Sequence, residues 1–215
     1  MSTRNQWWFV ASSDQHFSAE SRPSLNWKSI SGANSWRPDL ILCIGDITNG
    51  GGSCIATSQL IDFVEIYEAS LTAQGIPVKL CHGNHDNYAV RLYIKHRHGD
   101  TKYFFDHKDI RFICCGLFPD NMKWLARALD TTPGMPIIIY FHYNTIPTQK
   151  FADWWSDAKK EKFYGAIAGK NIKLIINGHI HANTSNMYRG INHLTVGRRA
   201  VAIHVSDGEI IPTVD

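Results

Sequence analysis

Residues 77–86 read PVKLCHGNHD, and the change of character inside these ten positions decides how the chain is read. Pro77–Cys81 has the length and apolar content of a strand. One residue later comes Gly83-Asn84-His85-Asp86, which no core would use. The same juxtaposition recurs on both sides. Trp7–Ala11 leads to Asp14-Gln15-His16, and Leu40–Ile44 leads to Gly45-Asp46 with Asn49-Gly50-Gly51 beyond it. Ile137–Phe141 stops at His142, and Ile172–Ile176 stops at Gly178-His179-Ile180-His181. Nearly continuous apolar runs predict strands covered on both faces. In open α/β sheets, sites form at the carboxyl ends of strands. Five such ends bearing carboxylate, amide and imidazole groups are therefore expected to converge on one place.

Longer amphipathic stretches lie between these runs. Ser53–Gln74 places Leu60, Val64, Tyr67 and Leu71 on one helical face, with Gly75 and Pro77 as the stop. Asp120–Asp130 and Asp153–Ala168 read as two further helices. Two regions look antiparallel: Tyr103–Phe105 with Arg111–Cys115, and the segment from Ser185 onward, which has turn signals at Arg189-Gly190 and Asp207-Gly208. No repeat or linker interrupts the order, so residues 1–215 are expected to form a single α/β domain ending in a β-meander.

Bulk composition narrows the function classes. Apolar residues make up 44% and charged residues 19%, the balance of an ordinary globular chain. A net charge of +3, spread along the sequence, is too weak to imply nucleic acid or an anionic membrane as partner. No apolar run approaches the ~20 residues of a membrane span, and Trp7–Ala11 is short for a secretory signal, so a cytoplasmic protein is expected. The five cysteines lack paired spacing, which predicts buried thiols rather than a zinc knuckle or a disulfide framework.

The donor set is oxygen and imidazole nitrogen without thiolate, which suits Mn, Fe or Zn. In extended chain, residues two apart project to one side, so Asp14 with His16 and His179 with His181 can each present a pair. Glycines before Asp46, Asn84 and His179 permit close backbone approach. Seven protein donors exceed one tetrahedral zinc but serve two ions if a carboxylate is shared, and Asp46 is the candidate bridge.

The succession D-x-H, G-D-x-x-x-x-G, G-N-H-D, a lone His after a strand, and G-H-x-H resembles the calcineurin-like metallophosphoesterase superfamily from Asp14 to His181. The resemblance implies a four-layer α/β/β/α sandwich of two mixed sheets flanked by helices. It implies Asp14, His16, Asp46 and His181 on one divalent metal, and Asp46, Asn84, His142 and His179 on the other. It further implies hydrolysis of a small phosphoester by a hydroxide bridging the two ions, with His85 as general acid and Asp86 orienting it. Asn49-Gly50-Gly51 carries no phosphate-binding Arg, and Asp86 stands where protein Ser/Thr phosphatases of the superfamily have Glu. A phosphodiesterase is the preferred expectation, with a phosphomonoesterase or nucleotide hydrolase, and a non-catalytic scaffold, as alternatives. His82, His96, His98, His107, His193 and His204 read as structural, with His82 a candidate support for Asn84. Trp154 and Trp155 read as core, with the substrate cleft as the other possibility.

Overall fold

The computed structural model describes residues 6–17, 37–50, 53–146 and 154–213, without the side chains at positions 53, 54 and 56. Gly51, the Cys54 thiol and Asp153 therefore lie outside the described residues.

Two mixed sheets carry the fold. In the first, the order is β11 (Glu209–Thr213), β10 (Val201–Ser206), β1 (Gln6–Ser12), β2 (Leu40–Ile44) and β3 (Val78–Cys81). In the second it is β4 (Tyr103–His107), β5 (Ile110–Cys114), β6 (Ile137–Tyr140), β7 (Ile172–Asn177), β9 (Ile191–Thr195) and β8 (Thr184–Tyr188). β1, β2 and β3 run parallel, as do β5, β6, β7 and β9, while the outer pairs are antiparallel. All five strands expected from the apolar runs are present, each within a residue or two of its expected ends.

Period-two alternation assigns the faces. In β6, Ile138 and Tyr140 point into the larger apolar cluster, which joins the two sheets. Ile137 and Ile139, with Phe141 just beyond, point into the smaller one with Leu125, Phe163 and Ile167. The helices form the outer layers. α1 (Ser53–Asp62) continues through a π-helical stretch, Phe63–Glu68, into α2 (Ala69–Ala73), and α3 is Tyr88–His98. Their buried residues Leu60, Phe63, Tyr67, Leu71, Val90 and Ile94 belong to the larger cluster. α4 (Met122–Ala128) and α5 (Asp157–Ile167) cover the outer face of the second sheet. The layering is that of an α/β/β/α sandwich.

Three sequence readings need correction. The expected helix 53–74 is continuous but widens into π geometry over Phe63–Glu68, where buried Glu68 accepts from the Arg97 guanidinium and the Tyr93 hydroxyl. Helix α3 was not expected, because only Val90 and Ile94 of its eleven residues are buried and its apolar period is faint. It is capped by Asn87, whose Oδ1 accepts from the Ala89 and Val90 N–H groups, so it begins directly after Asp86. Finally, the C-terminal strands are not a meander. Both turns are as expected, with left-handed Arg189-Gly190 and Asp207-Gly208, but β8–β9 completes the second sheet and β10–β11 the first. Among the described residues, no helix is long and apolar enough to cross a membrane. Cys43, Cys81, Cys114 and Cys115 are buried free thiols, as expected.

Candidate metal centre

The carboxyl ends of β1, β2 and β3 from one sheet meet those of β6 and β7 from the other. Backbone bonds join the loops there: Asp14 N donates to Gly45 O at 3.0 Å, His16 N to Asp46 O at 3.0 Å, and Gly178 N to His142 O at 2.9 Å. Three groups of donor atoms result: Asp14, His16 and His181; Asp46, His142 and His179; and His16, Asp46 and His85. Asn84 joins the second, its Oδ1 lying 3.1 Å from His142 Nε2. The two halves are in contact, since Asp46 Oδ2 lies 3.3 Å from His142 Nε2 and 3.8 Å from His16 Nε2. The seven expected donors and His85 therefore lie close together.

The backbone at this site differs from expectation. Of the eight described non-glycine residues with positive φ, five are Asp14, His16, Asp46, His179 and His181; the other three, Lys108, Arg189 and Asp207, sit in hairpin turns. Asp14 and His16 share a donor group while His179 and His181 divide between two, and all four arrive from left-handed rather than extended chain. Non-glycine residues adopt that region at a cost that surrounding structure must offset, and such strain gathers at functional sites. Close packing supplies part of the offset. A Cβ on Gly83 would lie 2.1 Å from Asp46 Oδ1, and one on Gly178 would lie 2.0 Å from Ser13 Oγ.

Electrostatics mark the place as one that attracts positive charge. Burial alone pushes the His142 ring down, yet its hydrogen bond to Asp46 and the charges of Asp46 and Asp14 lift it to about 9. Burial likewise raises Asp46, and His142 overcomes this to hold it at about 2. His179 goes the other way: burial and the charge on His142 push it down to about 4, keeping its ring neutral and able to donate a lone pair. His142 Nδ1 lies 2.9 Å from Ile44 O, so the N–H sits there and Nε2 faces Asp46 and Asn84. An all-O/N donor set with two ionised carboxylates fits divalent metal ions.

His85 is exposed at the mouth, its ring centroid 4.8 Å from that of His16. Its Nδ1 lies 3.2 Å from the Asn49 carbonyl and its backbone N–H donates to Asp46 Oδ1 at 2.8 Å. The expected contact between Asp86 and the His85 ring is not made. Asp86 is buried; Oδ1 accepts from Thr48 N at 2.9 Å and Oδ2 from Gly83 N at 2.8 Å. Burial, followed by the charge of Asp46, raises its carboxyl to about 6. Asp86 thus ties the Asp46 loop to the Asn84 loop, and the Asn49 carbonyl takes the place facing Nδ1.

Sequence reading passed over two neighbours, Tyr143 and Gly197, and preferred the core for a third, Trp154. Tyr143, next to His142, sets its ring 5.0 Å from His179. Trp154 stands 4.4 Å from the same ring, whereas Trp155 is core, so the pair divides. Gly197, which nothing in its local sequence distinguishes, would place a Cβ 2.4 Å from the His181 carbonyl carbon. His82 packs against Gly116, while His98 and His193 are structural, accepting from Leu80 N and lying 3.2 Å from Thr145 Oγ1 respectively.

No curated protein matches the chain significantly. Among solved structures, a dimetal phosphatase from Danio rerio superposes with a TM-score of 0.70 at 15% identity, covering 96% of this chain and 98% of its own. GAP50, the anchor in the inner membrane complex of Plasmodium, gives 0.69 at 14% identity, over 96% and 83%. The phosphopantetheinyl hydrolase of Mycobacterium tuberculosis gives 0.51 at 13%, over 88% and 89%. At these identities the likeness concerns the fold. The calcineurin-like phosphoesterase family model matches residues 9–183, spanning all five donor-bearing strand ends, and this chain belongs to that family.

Proposed function

We propose that this chain is a hydrolase of phosphodiester bonds that works with two divalent metal ions. The observation that carries the reading is the pair of donor groups meeting at Asp46, with His85 exposed beside them. Asp14, His16, Asp46 and His181 would hold one ion, and Asp46, Asn84, His142 and His179 the other. When bound, such ions supply Lewis acidity that neutralises phosphoryl charge and makes a water nucleophilic near neutral pH. The chain's own residues do the rest. The Asn49 carbonyl holds Nδ1–H of His85, so the proton that leaves and returns is on Nε2, which is where a departing alkoxide needs its general acid. Asp86 keeps the two loops in register, and the Asp46 carboxylate receives the His85 backbone N–H, which fixes where that ring stands.

Diester preference is supported by the loop after Asp46, which offers Asn49 and Gly50 where a dianionic monoester would profit from a cation. A monoesterase reading has its own support: Arg198 and Arg199, both exposed, follow Gly197 at the His181 side. The Danio rerio relative is also a phosphatase. The anchor role of GAP50 raises a scaffold as a third possibility, against which stands the complete donor set with its exposed His85. Metal analysis paired with turnover of bis-nitrophenyl and mono-nitrophenyl phosphate tests this. Two metals and diester turnover support the proposal, monoester preference replaces it with the second reading, and metal without turnover leaves a scaffold.

A further inference from the structure

Trp154 and Trp155 are neighbours in sequence and opposites in environment. Trp155 is 2% exposed; its Nε1–H donates to the Asn144 carbonyl at 2.8 Å, and its ring packs on Phe141 and Phe163. That anchor holds the start of the segment leading to α5 and leaves the adjacent residue little freedom. Trp154 keeps 45% of its surface exposed. Its ring centroid lies 4.4 Å from that of His179, at 66°, and 5.3 Å from that of Tyr143, at 68°. Trp155 belongs to the apolar cluster over the second sheet, whereas Trp154 stands at its solvent side.

We infer that Trp154 is a platform on which a flat heteroaromatic ring of the substrate rests, so that the site takes nucleotide-like phosphoesters rather than phosphoesters of ringless alcohols. The inference depends on the phosphoesterase reading above and narrows it. Geometry is its first support. His179 belongs to the Asp46–His142 donor group and also touches the indole, so a phosphoester seated at those donors carries its organic part within reach of Trp154. Chemistry is the second. Every nucleobase has a π face, and base stacking on an aromatic side chain is tolerant of base identity. Preorganisation is the third: an indole fixed through Trp155 and Tyr143 loses little freedom when a ring settles on it. The rival role for the same contact is steric, with Trp154 merely holding the His179 ring in place.

Calorimetry on the manganese-loaded full chain separates the two, with adenosine 5′-monophosphate and inorganic phosphate as probes. The nucleotide is expected to bind roughly ten- to a hundredfold more tightly than phosphate, the range that one stacked base supplies. In Trp154→Ala that ratio should fall close to one at unchanged manganese stoichiometry, and Trp154→Phe should restore most of it. A wild-type ratio in Trp154→Ala overturns the platform. So does loss of manganese from that variant, which would make the indole a support for His179. Should the wild-type chain hold manganese yet bind neither probe, the phosphoesterase reading fails and this inference falls with it, a result distinguished by the missing phosphate affinity.

Discussion

His16 Nε2 lies 3.2 Å from His181 Nε2, although 165 positions separate the two residues in sequence. Both nitrogens also face Asp14 Oδ1, at 3.9 and 3.3 Å. At this distance one ring N–H can donate to the other ring's nitrogen, and the same two nitrogens with Asp14 form a donor group for a cation. Each residue is held there by left-handed backbone, so the convergence is built in by the chain rather than reached by a rotamer change.

Manganese should therefore stabilise the fold. At a hundred times its Kd, a ligand of the folded state adds about 2.7 kcal/mol, which in a chain of this size is a rise of roughly 5–10 °C in melting temperature. Asp46→Asn should abolish most of that rise, because Asp46 lies between both donor groups. Thermal melts with metal analysis would check this; an undiminished rise in the variant would separate Asp46 from metal binding.

His85→Ala should lower turnover by about 10²–10⁴-fold, the usual contribution of a general acid. Metal content should not change, since His85 lies at the mouth rather than among the seven donors assigned to the ions. The loss should shrink for nitrophenyl esters, whose leaving group needs no proton. Equal losses on nitrophenyl and alkyl esters would remove the acid role.

Asp86→Asn tests whether that carboxylate acts through the loops or through His85. Both its oxygens accept backbone N–H groups, from Thr48 and Gly83, and an amide retains only one acceptor. One buried N–H is left facing an NH₂ group, so stability should fall by about 1–3 kcal/mol. The leaving-group dependence that marks His85 as the acid should stay as in the parent chain. Unchanged stability with that dependence altered would restore the direct Asp86–His85 link.

Gly197→Ala should disturb the metal centre without touching any donor. The new methyl would meet the His181 carbonyl carbon at 2.4 Å and Ala182 N at 2.5 Å, both backbone, so the His181 loop has to move. Weaker metal binding at intact secondary structure is expected, read by titration and circular dichroism. Wild-type affinity would show that the loop absorbs the shift.

Stability should fall as pH drops from 6.5 towards 4. Burial depresses His193 to about 4, and burial with the charges of Lys79 and Arg97 does the same to His98, against 6.5 in the unfolded chain. Between those values the unfolded state takes up protons that the folded state refuses, so the cost is absent above 6.5 and grows on acidification. Urea midpoints of the metal-free chain at pH 7 and pH 5 would show the fall. His193→Gln should flatten it, and an equal fall in that variant would exclude His193 as a source.

How far the site could be read before the structure follows from where its information lies. The runs Leu40–Ile44 and Ile172–Ile176 are apolar on both faces because helices and a second sheet cover them, and that is written in composition alone. So are the clusters that follow them, since no packing demand explains Gly-Asn-His-Asp or Gly-His-Ile-His. Helix α3 was invisible because two buried residues in eleven leave almost no period to detect.

The linear order of apolar runs and donor clusters thus predicted an α/β chain and singled out candidate side chains, because each depends on local chemistry, whereas the two-sheet layering came from the family resemblance. Tertiary structure alone decided that Asp14, His16 and His181 meet through left-handed backbone, that Asp86 bonds Thr48 and Gly83, and that β8–β9 and β10–β11 enter different sheets. It also placed Trp154 on His179 while burying Trp155. These outcomes turn on which distant segments pack together at lowest free energy, and that competition among contacts leaves no trace in any short window of residues.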